Sequence, residues 1–371
     1  MQNMVDAQHS NGAMPTTAPE YVIFEGPGMD AFAESPEWGG SLVIFPFMYY
    51  ETYGDDSLIK KYYPNMRRYV DYLKTRADKG ILSSGLGDWY DYGDFRAGFS
   101  RNTPVPLVAT AHYYMTVMYL VQAAKMVGND FDTRYYTSLA QDIMAAFNKY
   151  FLHKDTAQYG TGSQCSNALP LFLQMTQDAD EQGTYRPDAD LHEKVFTNLI
   201  KDVEAHGNRL TTGDVGNRYL IQTLARNGEH ELIYKMFNHE EAPGYGFLLK
   251  FGATTLTEQW DPRQGSSWNH FMMGQIDEWF FNSLVGIRPS TTPKQGYQKF
   301  IIAPQPVGDL KYVKASYDTL YGTINVDWTC ENGTFTLNVS VPVNTTAVVY
   351  LPGEKEPKEI QSGTYQLVCA K

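Results

Sequence analysis

The hydrophobic pattern changes period near residue 288, and that change limits the chain to a helical part followed by a β part. Before it, amphipathic segments alternate with glycine-rich loops, which predicts helices over 40–53, 56–78, 104–128, 132–152, 164–177, 187–206, 214–227, 229–238 and 266–285. Within 56–78, Leu58, Tyr62, Met66, Tyr69, Val70 and Leu73 recur on one stripe, as an amphipathic helix requires. Asp55 and Asp56 open that helix, Gly128 closes the one over 104–128, and Gly228 separates the seventh from the eighth. After residue 288 the runs shorten and alternate. Stretches 334–343 (TFTLNVSVPV) and 346–351 (TAVVYL), set off by ENG and PGE turns, predict an antiparallel β-sandwich. The expected domains are therefore residues 1–288 and 289–371.

Helical hairpins joined through long aromatic loops suggest an α/α toroid, with inner and outer helices alternating and the loops at one end building a cleft. A closed barrel of six hairpins needs twelve helices, and only nine are predicted. The expectation is a barrel incomplete at its N-terminus. Its uncovered inner faces would form a larger apolar patch than monomers usually carry, which predicts either poor solubility or self-association.

Charge narrows the partners. The formal net charge is −12 and the sequence pI about 5.1, with no basic run longer than the pairs Lys60-Lys61 and Arg67-Arg68. Phosphate recognition needs clustered cations, so nucleic acid is excluded, and an anionic membrane surface would repel the chain. No stretch approaches the ~20 apolar residues of a membrane-spanning helix. The opening MQNMVDAQHSNGAMPTT has neither a basic nor an apolar region of a secretory signal, which leaves export of a longer protein open. Cys165, Cys330 and Cys369 lie far apart without metal-ligand spacing, and a Cys330–Cys369 meeting in the C-terminal domain stays open. No cofactor or metal is implied. Twenty-seven tyrosines and six tryptophans suit either sugar stacking or a large core.

Three stretches can carry chemistry. In 251–287, the small residues of GATTLTEQWDP leave room for a ligand beside Glu258, flanked by Gln259 and Trp260. Inverting glycoside hydrolysis needs one carboxylate to activate water and one carboxylic acid to protonate the leaving oxygen, and Glu258 fits the first role. The competing reading is a solvated glutamate. Ser266 and Ser267 are competent N-caps, which would put Asn269 and His270 in a first helical turn, there either touching a ligand or packing behind it. In GLGDWYDYGDF, Asp88, Asp91 and Asp94 interleave with Trp89, Tyr90, Tyr92 and Phe95. The aromatics and the missing terminal Glu do not fit a calcium loop. The stretch reads either as sugar recognition or as helix caps. Trp38 of ESPEWGG, at a helix start, points either to the cleft or to the core. No GxSxG, HExxH, Walker A or GxGxxG pattern stands in a supporting context.

Taken in order, SPEWGGSLVIFPFMYYETYGD, YYPNMRRYVDYL, GLGDWYDYG, TGSQCSNAL, TTGDVGNRYLIQTLARNGEHELIYKM, GYGFLLKFGATTLTEQWDP, SSWNHFMMGQIDEWFFNSLVGI and GDLKYVKASYDTLYGTI resemble the inverting α-L-rhamnosidases along nearly the whole chain. The resemblance implies an (α/α)6 barrel followed by a small β-sandwich, and release of terminal α-L-rhamnose from glycans or glycosides. It implies that Glu258, in the T-x-x-E-x-W loop, is the general base. Asp88 and Trp89 of the G-D-W loop and His270 of the N-H motif would line the sugar subsite, with Trp260 beside them. Trp38 matches a tryptophan of the W-G loop near the cleft. Tyr245 in PGYGF stands where many members carry tryptophan, which implies a change in rhamnose stacking or aglycone preference. The family's acidic motif, E-R-x-G-W-x-G-D, does not occur in these residues. The resemblance thus implies a general acid upstream of Met1. Two alternatives remain: an inactive sugar-binding remnant, and another α-glycosidase or a lyase on the same barrel.

Overall fold

The computed structural model describes residues 1–179, 185–264, 266–290 and 293–370. The chain separates into two compact units. One comprises Met1–Phe47, Ser57–Thr223 and Met236–Met273; the other comprises Met48–Asp56, Leu224–Lys235 and Gly274–Lys371.

The first unit is built of helical hairpins. Helix Val105–Met126 buries residues on every side, from Leu107 through Ala124, because its sequence is apolar all round. Helices Ser57–Arg76 and Asp130–Phe151 pack against it. The buried seam of Ser57–Arg76 runs through Ile59, Tyr62, Tyr63, Met66, Tyr69, Val70 and Leu73. It starts at Ile59, one residue after the expected Leu58, which is half-buried. Gly128, at φ +74°, lets the chain leave Val105–Met126 in a left-handed turn. Asn129 then caps the next helix by accepting from the Asp132 amide. Asp188 caps Ala189–Ala205 in the same way through the Leu191 amide, and Ser163 caps Gln164–Phe172 through that of Ser166.

The helix predicted over 266–285 forms only in its second half. Residues 266–270 form a bent segment, followed by a 3₁₀ turn (Phe271–Gln275), a short α-helix (Ile276–Trp279) and a π-helical turn (Phe280–Val285). Ser266 and Ser267 therefore cap nothing, and Asn269 and His270 lie outside any helix. The backbone of this segment is engaged elsewhere. The Glu258 amide donates to the Ser267 carbonyl at 2.9 Å and the His270 amide to that of Leu256 at 2.9 Å, while the Thr255 hydroxyl donates to the Trp268 carbonyl. Cross-loop pairing has replaced the helical i→i−4 bonds.

The second unit contains two four-stranded sheets. In one the order is Gly363–Ala370, Thr334–Val341, Gly322–Glu331, Tyr312–Thr319, antiparallel throughout. Phe335, Leu337, Val339 and Val341 alternate into the core, as the period of two demands. Trp328 is fully buried, and its indole donates to the Leu284 carbonyl at 2.9 Å. The other sheet runs Lys358–Ile360, Thr346–Val349, Lys299–Ile302, Ile287–Pro289. Its outer pairs are antiparallel as expected, while its central pair is parallel, with Ala347 opposite Phe300. Alternation reports which face is buried and carries nothing about strand direction. All three cysteines are free thiols. Cys330 and Cys369 both sit opposite Phe335 on the two flanking strands, which places them about 9–10 Å apart at the usual strand spacing, beyond disulfide reach.

Candidate active site

In the first unit, loop 85–103 is folded inward and held from three directions. From helix Pro36–Gly39, the Glu37 carboxylate accepts from the Gly87 amide at 3.0 Å and from the Ser35 hydroxyl, whose oxygen in turn accepts from the Leu86 amide at 3.1 Å. A Cβ on Gly85 would stand 2.7 Å from a Glu37 oxygen, so a larger residue there would force the hydrogen-bonded carboxylate to shift. Burial pushes the Glu37 pKa up to about 7, against the hydrogen bonds that pull it down. From within the loop, Asp91 accepts from the amides of Arg101 (2.7 Å) and Asn102 (2.6 Å). From the segment before helix Gly216–Arg226, the Tyr92 amide donates to the Thr211 carbonyl at 3.0 Å and the Asp214 amide to that of Trp89 at 2.7 Å. Tyr90, at φ +59°, holds a left-handed conformation that costs a non-glycine residue on the order of 1 kcal/mol.

This scaffold separates the three aspartates of D-x-x-D-x-x-D. Asp94 is exposed, whereas Asp88 and Asp91 are fully buried with different partners. Asp88 accepts from the Gly216 amide at 2.6 Å, at the N-terminus of helix Gly216–Arg226. A helix N-terminus favours a carboxylate by at most ~2 kcal/mol, and complete burial disfavours it by more. Burial wins, and the Asp88 pKa rises to about 7, opposed by the Gly213 and Gly216 amides and helped by Asp91. Asp214 is 1% exposed. Burial first, then the nearby carboxylates of Asp88 and Glu258, hold its proton well above the usual carboxylate range.

A pH dependence follows. Unfolded, Asp88 loses its proton near 3.8; folded, it keeps the proton to about 7. Its contribution to stability is therefore complete below about 3.8 and lost as pH rises through about 7. Asp88→Asn retains an oxygen for the Gly216 amide and removes the ionisation. Its Tm should fall less than that of wild type between about pH 5 and 8 in thermal denaturation; equal falls would exclude Asp88 as a source of the loss.

A cavity of about 620 Å³ opens between loop residues 90–97 and Gln259, Trp260, Asp261 and Gln264. Glu258 immediately precedes that second wall. One of its carboxylate oxygens accepts from the Ser267 amide at 3.1 Å, so the loop pairing that displaced the helix also orients the carboxylate. Asp261 is bound by Arg263 at 2.8 Å, which with the Arg263 amide keeps its pKa below the usual value.

The other predicted residues are distributed as follows. Trp89 is half-buried and packed edge-on against Phe32 (5.4 Å), Tyr90 (4.8 Å) and Phe99 (5.4 Å). His270 is half-buried, its ring stacked on that of Phe271 at 6.2 Å. Tyr245 begins helix Tyr245–Lys250, stacks on Phe237, and donates its hydroxyl to the Met273 carbonyl. Trp38 is half-buried in helix Pro36–Gly39 and does not line the cavity. Two residues expected to touch sugar are instead enclosed. Trp260 is 1% exposed, its indole donating to the Thr212 carbonyl at 3.3 Å and its ring meeting Tyr245, so it supports the wall and offers no face for stacking. Asp88 likewise faces a helix N-terminus and presents no exposed oxygen surface. Sequence reasoning missed Glu37 and Asp214. The signal for Asp214 was its place between two glycines in TTGDVG, just before a helix; nothing local announced its burial.

Comparison with known proteins assigns this architecture. Residues 1–284 match the bacterial alpha-L-rhamnosidase 6 hairpin glycosidase domain, and residues 286–366 match the bacterial alpha-L-rhamnosidase C-terminal domain. An alpha-L-rhamnosidase of Streptomyces avermitilis is 29% identical over 367 residues, covering 96% of this chain and 32% of that protein. One from Formosa agariphila is 28% identical over 368 residues, covering 96% and 37%. The chain thus spans about a third of the length of the curated relatives it matches. Among solved structures, an alpha-L-rhamnosidase from Dictyoglumus thermophilum superposes with a TM-score of 0.85 at 29% identity, over 100% of this chain and 43% of that one. The Streptomyces avermitilis enzyme complexed with L-rhamnose gives 0.84 at 25%, over 99% and 36%.

Proposed function

Because this chain belongs to the bacterial α-L-rhamnosidase family, through both its six-hairpin glycosidase domain and its C-terminal domain, we propose that the protein carrying it hydrolyses terminal α-L-rhamnosides with inversion, Glu258 being the general base. The observation that carries this reading is the tether of Glu258: its carboxylate accepts from the Ser267 amide at 3.1 Å, in the loop whose next residues, Gln259, Trp260 and Asp261, wall the cavity. A relative at 25% identity is complexed with L-rhamnose, which supports the sugar. Trp89, Tyr90 and His270 are the side chains we assign to the sugar subsite, with Tyr245 and Trp38 at its margin.

The chemistry needs Glu258 ionised beside a water molecule on one face of the sugar ring and a carboxylic acid on the other. Proton transfer to Glu258 makes the water nucleophilic, and the acid's proton leaves with the departing oxygen. We assign the acid to the E-R-x-G-W-x-G-D motif, which these 371 residues do not contain. The buried carboxyls of Asp88 and Asp214 take a supporting role, keeping loop 85–103 in register with the Gly213–Gly216 segment. NMR of early hydrolysis of an aryl α-L-rhamnoside should show β-L-rhamnose as the first product. An α-anomer first would overturn the inverting assignment.

A further inference from the structure

The loop that lines the cavity is gripped at its root by a buried carboxylate that does not itself line the cavity, that of Glu37 on helix Pro36–Gly39. Resting on the rhamnosidase reading above, we propose that Glu37 is a positioning residue for that reaction. By clamping the backbone of Leu86 and Gly87 it sets where Trp89 and Tyr90 meet the sugar, and through them the KM for a rhamnoside.

The clamp holds backbone. Glu37 takes the Gly87 amide directly at 3.0 Å, and the Ser35 hydroxyl, which donates to Glu37, takes the Leu86 amide at 3.1 Å. Two successive N–H groups are thus fixed from one short helix. Gly87 has no side chain with which to anchor itself. At φ +70° it favours glycine, and a Cβ there would stand 2.8 Å from that of Ser100. The Trp89 amide then donates to the Gly87 carbonyl at 3.0 Å, and the Tyr90 amide to that of Gly98 at 2.8 Å. Tyr90 is the next residue and lines the cavity. Position passes from Glu37 to the cavity wall within four residues.

The base of the clamp is firm. Ser35, Pro36 and Gly39 are buried, and helix Pro36–Gly39 packs on Val105–Met126. A Cβ on Gly40 would stand 3.1 Å from the Thr116 hydroxyl of that helix, and the Tyr69 hydroxyl of Ser57–Arg76 fills the space a Gly39 side chain would need. A residue held this rigidly can fix geometry at a distance, where a misplacement of about 1 Å costs up to about 10²-fold.

The proposed base stands on a separate support. Glu258 rests on the backbone of Ser267, whereas the clamp ends on residues 86 and 87. The bonds to Asp91 and between Asp214 and Trp89 also stay in place without Glu37, so the loop should shift and remain folded. Loosening the clamp should therefore weaken sugar binding more than the chemical step.

Hydrogen exchange read by mass spectrometry, with steady-state kinetics on an aryl α-L-rhamnoside, tests this in the protein carrying this chain. In Glu37→Ala, exchange across 85–90 should quicken about tenfold, and KM should rise about tenfold while kcat stays within about threefold. Glu37→Gln keeps the length and an oxygen for the Gly87 amide, and should return both readouts to within about threefold of wild type. Ser35→Ala, which removes the acceptor of the Leu86 amide alone, should move both in the same direction as Glu37→Ala, and decides the matter if that variant does not fold. A merely structural Glu37 would lower the Tm of the alanine variant and leave the KM of the folded protein unchanged. That result would overturn the proposal, as would unchanged exchange across 85–90. Failure of the wild type to hydrolyse the rhamnoside would instead overturn the rhamnosidase reading, and exchange across 85–90 would still decide whether Glu37 holds the loop.

Discussion

Glu258→Gln should lower turnover of an aryl α-L-rhamnoside by about 10²–10⁴-fold, the usual worth of a general base. The substitution is close to a pure chemical probe. Glutamine has the same shape, and its side-chain oxygen can still accept from the Ser267 amide that tethers the carboxylate. The pairing of the Glu258 amide with the Ser267 carbonyl involves only backbone and is untouched. Loop geometry and substrate affinity should therefore persist, so kcat falls while KM stays within a few-fold. Steady-state kinetics separates the two. A variant retaining more than a tenth of wild-type kcat would remove Glu258 from the role of base.

Gly213→Ala should unfold the site outright. An added Cβ would stand 2.1 Å from the Trp89 carbonyl oxygen and 2.5 Å from the Asp91 amide nitrogen. These are backbone atoms, so no side-chain rotation relieves the clash. Moving loop 88–92 away would break the Asp214–Trp89 backbone bond, the Asp88–Gly216 bond and the two amide bonds to Asp91. Overpacking a tight site costs 1–3 kcal/mol, and the loss of buried hydrogen bonds adds to it, giving about 3 kcal/mol or more. Chemical denaturation should show a correspondingly lower midpoint, and rhamnoside hydrolysis should be lost with it. An unchanged midpoint would mean that the loop does not rest on Gly213.

What could be read in advance follows from what each signal encodes. Helix Ser57–Arg76 and strand Thr334–Val341 were legible because amphipathic periodicity is a local property, set by which face meets the core. The parallel pairing of Thr346–Val349 with Lys299–Ile302 was not, because strand direction depends on chain path. Residues 266–270 carry good capping chemistry, yet their backbone groups bond a loop that sequence alone cannot bring alongside. Glu258 is proposed as the base from its small-residue loop and its family landmarks, both of them local signals. Trp260 misled for the converse reason: an indole beside a carboxylate suits a sugar platform, and only the tertiary contact with Thr212 and Tyr245 shows it enclosed. Asp214 and Glu37 owe their altered acidity to burial by segments remote in sequence, so no local pattern marks them.

The parallel seam in the C-terminal unit has a kinetic consequence. Strands Tyr312–Thr319, Gly322–Glu331 and Thr334–Val341 pair through short turns, so their meander closes small loops and can form early. Lys299–Ile302 meets Thr346–Val349 only across the whole of that meander, and its closure entropy is correspondingly larger. The local hairpins are therefore expected to form first and the long-range seam last, so substitutions in Gly322–Glu331 should slow folding while those in Thr346–Val349 should mainly speed unfolding.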